Sequence, residues 1–169
     1  MKRFIALATT GASVVVLLAG CSALHLGAGG PPGMKVVGKS NYCGTASQAS
    51  EVHYFANVDD YQDWIDYRDI NDLNAKGAQD RGVVLVEMGQ RPTGGYNLRL
   101  LSRKTKIKGD TLDMVVDWHA PRLDAAVSQA MSTQCIAVRL PQGSYSNVRV
   151  TDQIGNQRGE FNISQPNAS

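Results

Sequence analysis

From Val83 onward, apolar and polar positions alternate in short runs separated by turn residues. Val83 to Met88 is an apolar run. Tyr96, Leu98 and Leu100 alternate with Asn97 and Arg99. After a Lys108-Gly109-Asp110 turn, Leu112, Met114, Val116 and Trp118 fall on one face, with Asp113, Val115 and Asp117 opposite. Pro121 ends that strand. Ile136, Val138 and Leu140 follow and stop at Pro141 and Gly143. Val148 and Val150 form another run, and beyond a Gly155-Asn156 turn Glu160 to Ile163 reads as a last strand. Many short strands with frequent turn signals predict a mainly β fold, a small antiparallel β-sandwich or barrel rather than a parallel sheet. Arg99, Asp113, Asp117, Arg139 and Arg149 fall on outward positions and suit cross-strand pairs on a wet face. Such exposed pairs contribute little individually.

The connection Gly89-Gln90-Arg91-Pro92-Thr93-Gly94-Gly95-Tyr96 joins the first two of these runs. Pro92 fixes its own φ and biases Arg91 towards an extended conformation. Gly94 and Gly95 tolerate positive φ. The octet therefore predicts a stiff entry, a sharp reversal and Tyr96 at the start of the second strand.

Residues 34–81 read as an N-terminal extension with a short helix. Glu51 to Phe55 suits a short strand. Asp59 and Asp60 suit the N-cap and first turn of a helix carrying Tyr61, Trp64 and Ile65 on one stripe. Asp63 and Asp66 fall on its polar side, and Asp69 and Asp72 follow. These carboxylates lack the spacing, central Gly and final Glu of an EF-hand, so they read as a solvated acidic face. Asn74 to Gly82 reads as the linker into the β domain at 82–164.

The pattern is different at the start. Lys2 and Arg3 precede an uncharged apolar stretch, Phe4 to Leu18, too short to span a bilayer. Residues 1–20 read as a secretory signal. Its end, Leu18-Ala19-Gly20-Cys21, matches the bacterial lipobox, which implies cleavage before Cys21 and lipidation of its thiol, palmitate among the acyl chains. Several chains at about 0.8 kcal/mol per buried CH₂ would make the anchoring permanent. Ser22, rather than Asp, at the next position resembles the sorting signal for the outer membrane. Residues 21–33 are rich in Gly and Pro and suit a flexible tether; His25 lies there as a solvated residue.

With Cys21 lipidated, Cys43 and Cys135 remain, and an oxidising compartment favours their pairing. Cys135, Ala137 and Arg139 face away from the side that carries Ile136, Val138 and Leu140. An extension carrying Cys43 can lie across that outer face. Closing so long a loop stabilises by about 4–5 kcal/mol in the chain-entropy picture.

A net charge of +2 with dispersed basic residues argues against nucleic acid as a partner. Catalysis finds little support either. Asp117 and His119 share a strand face, but there is no Gly-x-Ser-x-Gly elbow to add a nucleophile. No Cys-x-x-Cys, His-Glu-x-x-His or glycine-rich phosphate loop is present, so the sequence predicts no metal, no cofactor and no enzyme. His53 and His119 are the only histidines beyond the tether, and His119 reads as a surface residue paired with Asp117.

The Gly89–Tyr96 octet resembles the signature of the PrcB C-terminal domain family, named for an accessory subunit of a bacterial surface protease complex. The resemblance runs from Val83 to about Val150. It takes in Gly109, the Leu112–Trp118 strand, Pro121, the Gln129 region and Gln134 to Pro141. It implies a small all-β domain that supports the maturation or stability of a protease partner. A weaker resemblance is to chagasin-like cysteine protease inhibitors, whose Asn-Pro-Thr-Thr-Gly-Tyr loop is similar in spacing to Arg91 to Tyr96. This chain departs from it at Arg91 and Gly94. It also lacks a counterpart of the inhibitors' Arg-Pro-Trp motif, having Pro121-Arg122-Leu123 instead.

Together these features predict a non-catalytic lipoprotein of the cell envelope, anchored in the outer membrane through Cys21. It would bind a protein partner, a protease complex among the candidates, through Gln90, Arg91, Thr93, Gly94, Gly95 and Tyr96. The alternative is a chagasin-like inhibitor acting through the Arg91–Tyr96 loop.

Overall fold

The structure, a computed structural model, describes residues 30–44, 47–78 and 81–164. The secretory signal, Cys21, Ser22 and His25 lie outside the described residues. Nine strands and one α-helix follow in order: β1 Lys35–Ser40, β2 Glu51–Phe55, α1 Val58–Arg68, β3 Val83–Glu87, β4 Asn97–Leu100, β5 Lys106–Lys108, β6 Thr111–His119, β7 Cys135–Arg139, β8 Asn147–Asp152 and β9 Gln157–Asn162. A short 3-10 turn spans Ala75–Gly77. No helix among the described residues is long and apolar enough to cross a membrane.

The strands form two stacked sheets, and the barrel alternative is excluded because they do not close. One sheet has the order β1-β7-β3-β2 and is antiparallel throughout. The other runs β4-β6-β8-β9, with β5 also paired to β6. Each sheet face that looks inward supplies alternate residues to one core. Val84, Val86, Ile136 and Val138 come from the first sheet, and Leu98, Leu112, Met114, Val116, Val148 and Val150 from the second.

One strand pair departs from the antiparallel expectation: β6 and β8 run parallel, with Met114 opposite Val150. Between them the chain crosses to the first sheet as β7 and returns. Two successive crossings restore the original direction, so a parallel pair arises without an intervening helix.

The outer face of the first sheet is also covered. Val83, Leu85, Cys135 and Ala137 pack there with Cys43, with Tyr61 and Ile65 from α1, and with Ile70, Leu73 and Ala78. Every residue of β3 is therefore buried, which explains an apolar run in place of alternation. The helical stripe of Tyr61, Trp64 and Ile65 falls as its spacing predicts, with Tyr61 and Ile65 buried and Trp64 half-buried. Burial pushes the Tyr61 phenol well above its ordinary range. The helix N-cap is Asn57, whose side chain accepts from Asp60 N at 2.8 Å; Asp59 and Asp60 occupy the first turn instead. Asp59, Asp60, Asp63, Asp66, Asp69 and Asp72 are all exposed.

Residues 34–81 are thus more than an appendage. β1 and β2 are the two edge strands of the first sheet, and the segment read as a linker packs Ala78 into the outer-face cluster. Arg139 holds this region down, donating to Gly33 O at 3.1 Å and Gly77 O at 3.3 Å.

Candidate functional site

The Gly89–Tyr96 octet does not fold back as a hairpin. β3 lies in the first sheet and β4 in the second, so the octet carries the chain between layers at one end of the sandwich. Its backbone is stitched to residues 128–134. Met88 N donates to Gln134 O at 2.8 Å, Arg91 N to Ser132 O at 2.8 Å, and Gly94 N to Ser128 O at 2.8 Å. Ser132 N returns a bond to Arg91 O at 3.0 Å, and Ser132 Oγ donates to Thr93 O at 3.0 Å. Gln90 N donates to Ser47 O at 2.7 Å, which draws in the segment before β2.

Positive φ falls at Gly89 (79°) and Gly95 (82°). Gly94, expected to share that conformation, is not among the positive-φ residues. Tyr96 packs against the inter-sheet core. Arg91 turns back into its own protein: its guanidinium donates to Met88 O and, at 3.3 Å, to Gln48 O. A cation that satisfies backbone carbonyls at a loop's root acts first as a clamp. Of the residues read as a partner loop, Gln90, Arg91, Thr93, Gly94 and Tyr96 are half-buried and Gly95 is exposed.

What this end does expose comes from the other side of the stitching. Residues 120–134 connect β6 to β7 with no strand of their own. Connections of this length are uncommon in compact domains and are commonly functional. Leu123 projects fully into solvent and Met131 is 67% exposed. Neither is distinguishable in the sequence, since only the topology shows which apolar residue of a loop lacks a neighbour. Arg122 and Asp124 pair across Leu123 at 3.0 Å.

The Asp117–His119 pairing dissolves. The Asp117 carboxylate accepts from Arg99 Nη2 at 3.0 Å across the β4–β6 register, while His119 is exposed at the strand end. Asp113 likewise serves as a cross-strand partner for Arg149 at 3.6 Å and Lys108 at 3.7 Å.

Cys43 and Cys135 form a disulfide, with Cα atoms 6.0 Å apart and both residues fully buried. It fastens the N-terminal segment to the outer face of β7, as the strand register predicts. Beside it is a constellation that the sequence did not suggest. Glu51 and Glu87 are directly opposite on β2 and β3, and His53 lies two residues along the same face. His53 Nε2 is 3.2 Å from Glu87 Oε2 and 3.6 Å from Glu51 Oε2. Arg68, in the last turn of α1, stands 3.6 Å from Glu87 Oε1 and stacks over Trp64 at 5.0 Å. Glu87 is only 1% exposed although it is the one charged residue within the Val83–Met88 run. Reading it as core requires knowing that α1 covers this face.

No curated protein and no solved structure matches the chain. Residues 83–141, from the first residue of β3 to just beyond β7, match the model of the family described as PrcB C-terminal; β1, β2, β8 and β9, which complete the two sheets, lie outside the match. This part of the chain, with its clamped octet and its long β6–β7 connection, is therefore similar to the PrcB C-terminal family.

Proposed function

We propose that this protein is a non-catalytic envelope lipoprotein that binds and supports a protein partner, with a protease complex as the partner class. The observation that carries the reading is the match of residues 83–141 to the PrcB C-terminal family. The lipobox ending at Cys21 supports the anchor, and Ser22 supports an outer-membrane address. The partner surface is the loop end of the sandwich. Leu123 and Met131 offer apolar contact there, and Pro92 of the octet is exposed. Rigid β scaffolds commonly present binding residues on such loops. Inhibition of a papain-type protease through Arg91 to Tyr96 draws less support, because the Arg91 side chain is engaged by Met88 and Gln48 carbonyls.

The test is crosslinking in cells with a tagged full-length protein, solubilisation of the envelope and identification of what is captured. Leu123→Asp and Met131→Asp should reduce capture of a specific protein while leaving the melting temperature unchanged. Equal capture by wild type and both variants would remove this surface. Cys21→Ser tests the anchor separately: a mature-size, membrane-bound variant would contradict lipidation.

A further inference from the structure

We propose that Glu51, His53 and Glu87 form a binding site for a divalent transition-metal ion, with Zn²⁺ the best fit. Each residue offers one ligand atom, and the three atoms lie within 4.8 Å of one another. Tetrahedral ligands at about 2.0–2.1 Å from a zinc ion stand roughly 3.4 Å apart. The 3.2 Å and 3.6 Å separations from His53 Nε2 to the two carboxylates bracket that spacing. One imidazole nitrogen and two carboxylate oxygens suit Zn²⁺ better than Ca²⁺ or Mg²⁺, which prefer all-oxygen shells.

The surroundings fit a built site better than a chance surface cluster. Glu87 is 1% exposed, and its Oε1 accepts no hydrogen bond among the described residues. Its nearest cation there is Arg68 Nη1 at 3.6 Å. Oε2 is at hydrogen-bond distance from His53 Nε2, so the unpaired oxygen is Oε1, and a buried carboxylate with one oxygen unpaired favours a further positive charge. The two oxygens of Glu87 are divided between neighbours, Oε2 facing His53 and Oε1 facing Arg68. Arg68 is itself fixed by stacking on Trp64 and by donating to Cys43 O at 3.3 Å. It would act as an outer-shell group that orients the ligand carboxylate. The His53 ring packs beside Trp64, at 5.6 Å, and Phe55, at 6.3 Å, which themselves stand 5.9 Å apart. His53 and Glu51 side chains are 29% and 41% exposed, so an ion can enter from solvent. Two carboxylates against one guanidinium leave a net negative site, and the ion would tie the edge strand β2 to β3 beside the disulfide.

The test uses full-length protein in detergent, titrated with ZnCl₂ and followed by calorimetry and by melting temperature. Zn²⁺ should bind one ion per chain and raise the melting temperature, and CaCl₂ should not. Losing an outer-shell partner of a metal typically weakens affinity about 10–100-fold, so His53→Gln and Glu51→Gln, which remove direct ligands, should weaken it at least as much. Glu51 is exposed enough that its variant should fold as wild type does in the absence of metal. No binding by the wild type, or equal binding by wild type and both variants, would overturn the proposal; the second result would place the ion elsewhere, for instance at His25 or His119.

Discussion

The Asp152 carboxylate meets Arg158 Nη2 at 2.8 Å from a side chain only 2% exposed. The pair spans the β8–β9 turn, and the same carboxylate accepts from Ile154 N at 3.1 Å, Asn156 N at 2.9 Å and Asn156 Nδ2 at 2.9 Å. Arg158 in turn lies over the Trp118 ring at 5.0 Å, which joins the hairpin to β6. One buried charge thus organises a turn, a strand pair and a sheet edge.

Acid should loosen this corner. Burial raises the Asp152 pKa, but the hydrogen bonds from Asn156, Arg158 and the backbone outweigh it and bring the value down to about 2 from an ordinary 3.8. A depressed carboxylate contributes stability that is fully present above its unfolded value and is lost as pH falls through the folded value. The contribution, roughly 2 kcal/mol, should therefore disappear between about pH 4 and pH 2. Asp152→Asn should be less stable than wild type at pH 7 and show a shallower acid slope. Urea unfolding from pH 2 to pH 7 measures both, and parallel acid slopes would contradict the assignment.

The adjacent glycines Gly94 and Gly95 should respond differently. A side chain at Gly95 would have to adopt a φ of 82°, and its Cβ would stand 2.7 Å from Val127 Cγ1 and 3.0 Å from Pro121 Cβ. At Gly94 the nearest atom is Ser128 Cβ at 3.3 Å. Gly95→Ala should therefore lower stability by about 1–3 kcal/mol, and Gly94→Ala by less. Melting curves of the two variants decide, and the reverse order would refute this account of the loop.

Removing Arg91 should be felt in stability before it is felt in binding. Arg91→Ala frees the carbonyls of Met88 and Gln48, and the loss should be about 1–3 kcal/mol, as for other hydrogen bonds to charged groups. Thermal unfolding is the readout. A variant as stable as wild type would mean that the guanidinium is available to a partner after all.

Breaking the Cys43–Cys135 bridge releases the constraint on a 92-residue separation. The chain-entropy model gives about 4–5 kcal/mol for a loop of this size. The double variant Cys43→Ala, Cys135→Ala should unfold at lower urea while keeping the far-ultraviolet signature of the sheets. The inter-sheet core, to which neither cysteine belongs, is what should hold those sheets together. Free thiols in denatured, unreduced wild-type protein would contradict the bridge.

Much of the fold was legible because strands and helices write their periods into the chain. The alternation around Leu112, Met114 and Val116 reports one inward face whatever the topology. The same rule placed Cys135 on the outer side of β7 and so foresaw where Cys43 had to come. Local chemistry decided these features: a side chain's face follows from its position along the backbone. β1 escaped notice because a register shift between Val36 and Gly38 interrupts its short pattern. The parallel β6–β8 pair was invisible because strand direction depends on how many times the chain crosses between layers. The octet's composition marked a turn, yet only the stacking of two sheets made it an inter-layer crossing and turned Arg91 inward. Glu51, His53 and Glu87 converge for a similar reason: β2 and β3 are 27 residues apart between Phe55 and Val83 and meet only through cross-strand register. Burial of Glu87 then required α1 to close over that face, a long-range packing event that no local pattern encodes.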